Sequence, residues 1–302
     1  MTVDGILNLD KPRGKTSFDM VSLIRRLSGE RKVGHAGTLD PEATGVLLIC
    51  LGQGTRLVEF LVEGKKAYRA EIELGIATDT YDATGNVTER RDCSALTREQ
   101  VAAAVASFSG FIDQLPPMYS AVKHQGKPLY RWARAGIQVQ RRSRRVELSR
   151  LEVVDWQPPL VSLEVECSKG TYMRSLAHDL GQKLGCGAHL RNLVRLRSGP
   201  FHISTAVAVS KLEDAFKRGY WLDLVHPIDV AVLHLPSVTV SNDDERAVIN
   251  GRPLLLSEEN ELSTGRCRAY SNDGRLIAIL RHDERQEWWQ PEKVFARKAE
   301  GT

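Results

Sequence analysis

The chain has 302 residues, 42% hydrophobic and 26% charged, with a formal net charge of +4. That length buries a full core in roughly two domains, and the balance is that of a soluble globular protein, not a disordered or fibrous one. No apolar run approaches the roughly 20 residues of a membrane span, and five scattered cysteines without a C-x-x-C pair support neither a disulfide framework nor a zinc site.

In chain order, Met1-Thr2-Val3-Asp4-Gly5 lacks the basic and apolar regions of a signal peptide, so a cytoplasmic location is expected. Ile6 to Leu9 reads as a short strand ended by the basic turn Asp10-Lys11-Pro12-Arg13-Gly14. Thr16 or Ser17 can cap a helix whose apolar face is expected to carry Phe18, Val21, Ile24 and Leu27. The densest signal follows, Gly34-His35-Ala36-Gly37-Thr38-Leu39-Asp40-Pro41-Glu42-Ala43-Thr44-Gly45. Its glycines and proline describe a backbone bent where side chains would obstruct it, and Pro41 holds Asp40 away from helical angles. A lone Asp-Pro is ordinarily a loop cap. Here the loop runs into the apolar stretch Val46 to Leu51, a buried strand, and a constrained acidic loop beside such a strand is a good place for chemistry.

Residues 67 to 74 alternate, with Tyr68, Ala70, Ile72 and Leu74 on one side, which predicts a half-buried strand. Thr97-Arg98-Glu99-Gln100 resembles a capping box before a helix with Val101, Ala104, Val105 and Phe108. Leu115 to Ser120 and His124 to Pro128 are turn-rich and read as an excursion from the core. Between Arg131 and Arg150 stand seven arginines against one acid, Glu147, centred on Arg141, Arg142, Arg144 and Arg145 with Tyr130 and Trp132 at the leading edge. A charge run is equally a solvated face. Arginine interleaved with aromatics favours a surface that grips phosphates and stacks on bases, so nucleic acid is the leading partner and an acidic protein surface the runner-up.

Residues 161 to 168 alternate as a second half-buried strand and lead through Lys169-Gly170-Thr171-Tyr172 into a helix with Met173, Leu176, Ala177, Leu180 and Leu184 inward. Arg174 at its start could pair with a carboxylate, which favours the charged form of Asp40 and suits a nucleophile or base. Taken singly, Tyr68 reads as core and His35 as a turn residue. Beyond Leu235-Pro236-Ser237 the pattern changes to short β segments, with Asn272-Asp273-Gly274 as a hairpin turn. Strands and helices mix without a strict βαβ rhythm, so the class is α+β. No phosphate-cradling glycine loop gives a nucleotide cofactor a visible cradle, no His or Cys pair has metal-ligand spacing, and no G-x-S-x-G elbow supports Ser-His-Asp hydrolysis.

The motif from Gly34 to Gly45 closely resembles the signature of the TruB family of tRNA pseudouridine synthases. Leu9-Asp10-Lys11-Pro12, Lys66-Ala67-Tyr68-Arg69, Pro117-Met118-Tyr119-Ser120-Ala121 and Cys167-Ser168-Lys169-Gly170-Thr171-Tyr172-Met173-Arg174 are similar to its further blocks in order and spacing. The resemblance covers roughly residues 5 to 200 and weakens over the last seventy. It implies a catalytic domain over 1–235, a mixed and largely antiparallel sheet flanked by helices, with an RNA-gripping insertion near 112–146. Residues 236–302 would form a small PUA-like β module that binds RNA. It implies conversion of a T-arm uridine of tRNA to pseudouridine, without cofactor, metal or obligatory protein partner. Asp40 matches the catalytic aspartate, Tyr68 the tyrosine that stacks on the target base, and Arg174 the arginine that pairs with the aspartate. His35 matches a histidine that helps to replace the flipped base, and Lys11 a basic position near the substrate. Arg56, Tyr172, Arg141, Arg142, Arg144 and Arg145 complete the expected substrate contacts. Extrusion of the nucleotide makes physical sense, because the reacting atoms are hidden inside a folded T loop. Two alternatives are the catalytic subunit of a guide-RNA pseudouridylation particle and an RNA-binding or RNA-folding protein on the same scaffold.

Overall fold

The computed structural model describes residues 3–256 and 265–295. The chain begins with β1 (Gly5–Lys11), α1 (Ser17–Ser28), β2 (Val33–Ala36), β3 (Thr44–Leu51), α2 (Val58–Glu63), β4 (Lys66–Leu74), β5 (Ile76–Thr78) and β6 (Val87–Arg90). It continues through α3 (Arg98–Ala106), β7 (Gly110–Gln114), the short β8 (Lys123–His124) and β9 (Lys127–Pro128), α4 (Leu129–Arg134), β10 (Arg144–Gln157) and β11 (Leu160–Cys167). Next come α5 (Met173–Leu184), β12 (Ala188–Ser198), β13 (Phe201–His202), β14 (Val207–Ala208) and α6 (Val209–Arg218). The tail adds β15 (Ser237–Thr239), α7 (Asn242–Ile249), β16 (Arg266–Tyr270), β17 (Leu276–Asp283) and β18 (Trp288–Val294). Among the described residues, no helix is long and apolar enough to cross a membrane.

Local chemistry sets these elements. Thr16 caps α1 through a capping box, its hydroxyl accepting from Asp19 N at 3.0 Å while the Asp19 carboxylate accepts from Thr16 N at 2.8 Å. Gly29 ends the helix in the left-handed conformation. One expectation fails here. Phe18 is 64% exposed. Ser17 takes the inward position because its hydroxyl is tied to Leu39, and helical spacing from Ser17 buries Met20 along with the expected Val21 and Ile24. Thr97 likewise caps α3 with Gln100 as its reciprocal partner.

The apolar run of β3 is uninterrupted because both of its faces are buried. Val46, Leu48 and Cys50 enter one core cluster, and Leu47, Ile49 and Leu51 enter another. Ten strands form one sheet in the order β14-β1-β3-β12-β4-β11-β10-β7, with β2 added to β3 and β13 to β12. The β1–β14 and β3–β12 pairs are parallel and the others antiparallel, giving the mixed, largely antiparallel sheet expected of the fold. Helices α3 and α5 pack on the β4, β10 and β11 end, and α1 and α6 on the β1 and β3 end.

A second sheet, β15-β16-β17-β18, forms the small C-terminal β unit. Its Ile279, together with Phe295 just past β18, joins Ile6, Val46, Leu48 and Phe60 in one apolar cluster, so the unit docks on the large sheet. Residues 257–264 and 296–302 of the tail expected from 236 onward lie outside the described residues. The insertion expected near 112–146 begins and ends inside the sheet. Arg144 pairs with Gln114 and Arg145 with Asp113 across β10 and β7, so the excursion proper spans 115–143. All five cysteines are free thiols, and Cys93 is the one that is not fully buried.

Candidate active site

The loop between β2 and β3 is held at the carbonyls of Gly37, Leu39, Asp40 and Pro41. Ser17 Oγ accepts from Leu39 N at 2.9 Å and donates to Leu39 O at 3.1 Å. Pro41 O accepts from Gly14 N at 2.9 Å and from Lys11 Nζ at 3.0 Å, and Asp40 O accepts from Ala43 N at 3.1 Å. Gly37 O accepts from Arg195 Nη2 at 2.9 Å. Gly45 ends the loop with φ +96°, where a Cβ would lie 2.3 Å from Arg195 O. Glycine is required there on both counts. The loop thus presents Asp40 from a backbone with little freedom left.

Arg174, in the first turn of α5, meets that carboxylate with two nitrogens. Nε lies 3.0 Å from Asp40 Oδ2 and Nη2 3.2 Å from Oδ1, the planar fork geometry that arginine favours. The same Nη2 donates to Tyr119 O at 2.9 Å, and Nη1 stands 3.7 Å from Asp82 Oδ2. The helix end is stitched to the sheet edge. Gln114 accepts from Tyr172 N at 2.7 Å and donates to Tyr172 O at 3.0 Å, while Ser175 Oγ donates to Leu115 O at 2.7 Å. Asp82 is fixed in turn by Thr80 Oγ1 at 2.7 Å and by Thr84 N and Oγ1 at 3.0 and 2.6 Å.

A cavity of about 140 Å³ opens at this point, lined by Asp40, Asp82, Arg174, Leu190 and Leu193 among others. It has room for roughly five waters. The Asp40 side chain is 44% exposed within it. The sequence reading had Arg174 favouring the charged carboxylate. Arg174 does pull the Asp40 pKa down, but burial pushes it up by more and Asp82 adds to the rise, so it stands above the ordinary carboxylate value. A carboxylate kept in place by an arginine but destabilised by its surroundings is a reactive one.

Tyr68 on β4 sits between two core clusters, directly across from Arg195 on β12. Burial raises its phenol pKa, with the Arg195 guanidinium opposing. His35 lies on β2 opposite Ile49, its Nδ1 buried without a partner, and burial lowers its pKa, which keeps the imidazole neutral at pH 7. Lys11 is not available to a ligand. It is fully buried, and its ammonium donates to the carbonyls of Pro12 at 2.9 Å, Lys15 at 2.6 Å and Pro41 at 3.0 Å. Burial pulls its pKa down to about 8. Its work is to brace the Asp40 loop. At the cavity rim Arg13 donates to Asn192 Oδ1.

The remaining expected contacts divide. Tyr172 caps α5 beside Arg174. Arg141, Arg142 and Arg144 line a second cavity of about 490 Å³ with Lys123 and His124. Arg145 turns aside to lie 4.8 Å over the Phe111 ring. Arg56 is not near the cleft. It donates to Val294 O and lies 5.4 Å over the Phe295 ring, at the contact between the two sheets. The sequence reading missed Asp82 and Arg195. Asp79-Thr80-Tyr81-Asp82-Ala83-Thr84-Gly85 carried a turn signal that could have singled out Asp82. Arg195 had none, because it is one of three arginines between Arg191 and Arg197.

Residues 25–173 match the family model described as TruB family pseudouridylate synthase (N terminal domain), and residues 174–233 match the tRNA pseudouridylate synthase B C-terminal domain. A protein of Dehalococcoides mccartyi named tRNA pseudouridine synthase B is 45% identical over 296 residues, 97% of each chain. Its namesake from Symbiobacterium thermophilum is 49% identical over 252 residues, 82% of each chain. Among solved structures, the crystal structure of a Cbf5-Nop10-Gar1 complex contains a chain matching with a TM-score of 0.74 at 29% identity, over 97% of this chain and 85% of that one. An H/ACA RNP bound to a substrate RNA containing 2′-deoxyuridine gives a TM-score of 0.73 at 26% identity, over 97% and 85%.

Proposed function

Because this chain belongs to the TruB family of pseudouridylate synthases, we propose that it isomerises one uridine in the T arm of tRNA, flipped out of its stack, with Asp40 acting on the extruded nucleotide. The observation that carries this reading is the two-pronged grip of Arg174 on Asp40 at the mouth of a cavity the size of a small ring, with Tyr68 on β4, the strand next to the β12 residues that line it. In the reaction the bond from ribose C1′ to N1 of the base breaks and one to C5 forms. Arg174 orients the carboxylate, and Tyr68 stacks on the base. The 115–143 excursion with its arginines grips phosphates, and residues 236–302 form a PUA-like module that adds RNA affinity without chemistry. Localisation in the cytoplasm goes with that substrate.

The relatives at 42–50% identity are tRNA enzymes by name, whereas the two solved structures are a Cbf5-Nop10-Gar1 complex and an H/ACA RNP, at lower identity. That favours an enzyme acting without protein partners. Incubation of the isolated chain with an unmodified tRNA transcript, followed by chemical mapping of pseudouridine, tests it. A single modified T-arm position supports the reading. No product from bare transcript would turn it toward a partner-dependent or non-catalytic role.

A further inference from the structure

A buried guanidinium is costly unless a carboxylate offsets its charge. Arg195 is 1% exposed, and no ion pair among the described residues includes it. Its Nε donates to Val46 O at 2.6 Å and its Nη2 to Gly37 O at 2.9 Å, so it bonds the backbone on both sides of the Asp40 loop. It is the direct cross-strand partner of Tyr68, which puts the two side chains on one face of the sheet and the guanidinium within reach of the phenol oxygen. Its field reaches Lys11, His35 and Lys66, and pulls each of their pKa values down as a positive charge left unneutralised would.

We propose that Arg195 is a positioning residue for the isomerisation: it fixes the Tyr68 hydroxyl beside the target base and leaves a positive charge there to meet the negative charge that develops on the detached uracil. This rests on the function proposed above. When the C1′–N1 bond breaks, its electron pair stays on the base. A pair from C5 then makes the new bond, C5 gives up its proton and N1 takes one, so no atom is gained or lost. A fixed cation near the ring favours the stage at which the base carries the extra pair, and in a site closed to water it does so without reorganising. No carboxylate among the described residues pairs with it to weaken that effect.

The test is a double-mutant cycle. Arg195→Lys keeps a cation but loses the planar fork. Single-turnover pseudouridine formation on tRNA transcript should fall by about a hundredfold, with tRNA affinity within about threefold of the parent. Made in a Tyr68→Phe background, the same change should cost less than about threefold, because the hydroxyl through which it acts is gone. Arg195→Gln, with amide donors but no charge, takes its place if the lysine variant does not fold; it should lose more in the parent than in the Tyr68→Phe background, where only the share due to the charge remains. In parallel, the absorbance titration of Tyr68, isolated by subtracting the curve of the matching Tyr68→Phe chain, should move to higher pH in Arg195→Lys. An unchanged rate, or losses that simply multiply, overturns the proposal. A parent chain that forms no pseudouridine defeats the function proposed above, and the Tyr68 titration then still decides whether Arg195 holds the phenol: no movement means that it does not.

Discussion

At Asp40 the competing effects have a sign that can be measured. Its raised pKa means the folded state favours the protonated form. The stabilising share is therefore present below the unfolded value and lost as pH rises through the folded one. Asp40→Asn should abolish pseudouridine formation, a loss of at least about a thousandfold, with tRNA affinity retained. Its melting temperature at pH 7 should equal or exceed that of the parent, and the parent should gain on the variant as pH falls toward 4, weakly, since the side chain is partly solvated. An Asn variant that turns over near the parental rate would make Asp40 a loop residue and nothing more. Lys66 gives an alkaline counterpart. It is buried, donates to the Leu61, Val62 and Gly64 carbonyls at the end of α2, and has a pKa lowered to about 8. Between pH 8 and 10.5 the unfolded chain holds that proton more tightly, so this lysine should make stability rise with pH across the window by about 3 kcal/mol. Denaturant unfolding of Lys66→Met should lose that slope. Asp40 and Arg174 were legible in the sequence because proline and glycine punctuation marks them locally. The turn around Asp82 is announced by its neighbours, but its approach to Arg174 is not, and Arg195 acts through partners far away in the chain that nothing beside it records.

Among the elements, β3 meets β12 backbone to backbone at Gly45. Gly45→Ala brings a Cβ against the Arg195 backbone at a left-handed φ, and should cost more than about 2 kcal/mol in chemical denaturation. A loss below about half that would mean the two strands can part there. The excursion at 115–143 and the start of β10 carry a different expectation. Changing Arg141, Arg142, Arg144 and Arg145 together to Ala should weaken tRNA binding and flatten the dependence of log affinity on log salt, while turnover of bound RNA suffers less. Unchanged affinity and slope would return these residues to a solvated face. Arg145, already stacked on Phe111, should contribute least. Strand and helix identity was readable wherever one face alternated or a cap announced a helix, as at residues 67–74 and at Thr97. Phe18 and the ends of the insertion were misread for one reason. Pairing with a distant segment, Leu39 for the first and β7 for the second, decided which way the residues face.

Across the whole molecule, the tail is joined to the large sheet through apolar surface, with Lys293 paired to Glu59 at 2.5 Å at the border. A chain ending at Leu235 should still fold and retain some pseudouridine formation at high tRNA concentration. It should melt earlier than the full chain, because Ile6, Val46, Leu48 and Phe60 lose part of their cover. Immediate cooperative unfolding would make the tail part of the catalytic core. The small second sheet was expected from a change in segment length and composition past 235. The apolar docking was not, because residues such as Ile279 and Phe295 look the same whether they face their own sheet or another. The parallel pairing of β3 with β12 sets a timetable as well as a geometry. Gly45 and Arg195 are neighbours in space but far apart in the chain, and closing so long a loop comes late in folding. On the ribosome, the Asp40 loop is synthesised early and must wait for Arg195 to emerge before its two ends are tied. A chain released between Gly45 and Arg195 carries the signature motif without the guanidinium that ties its loop, and should form no pseudouridine.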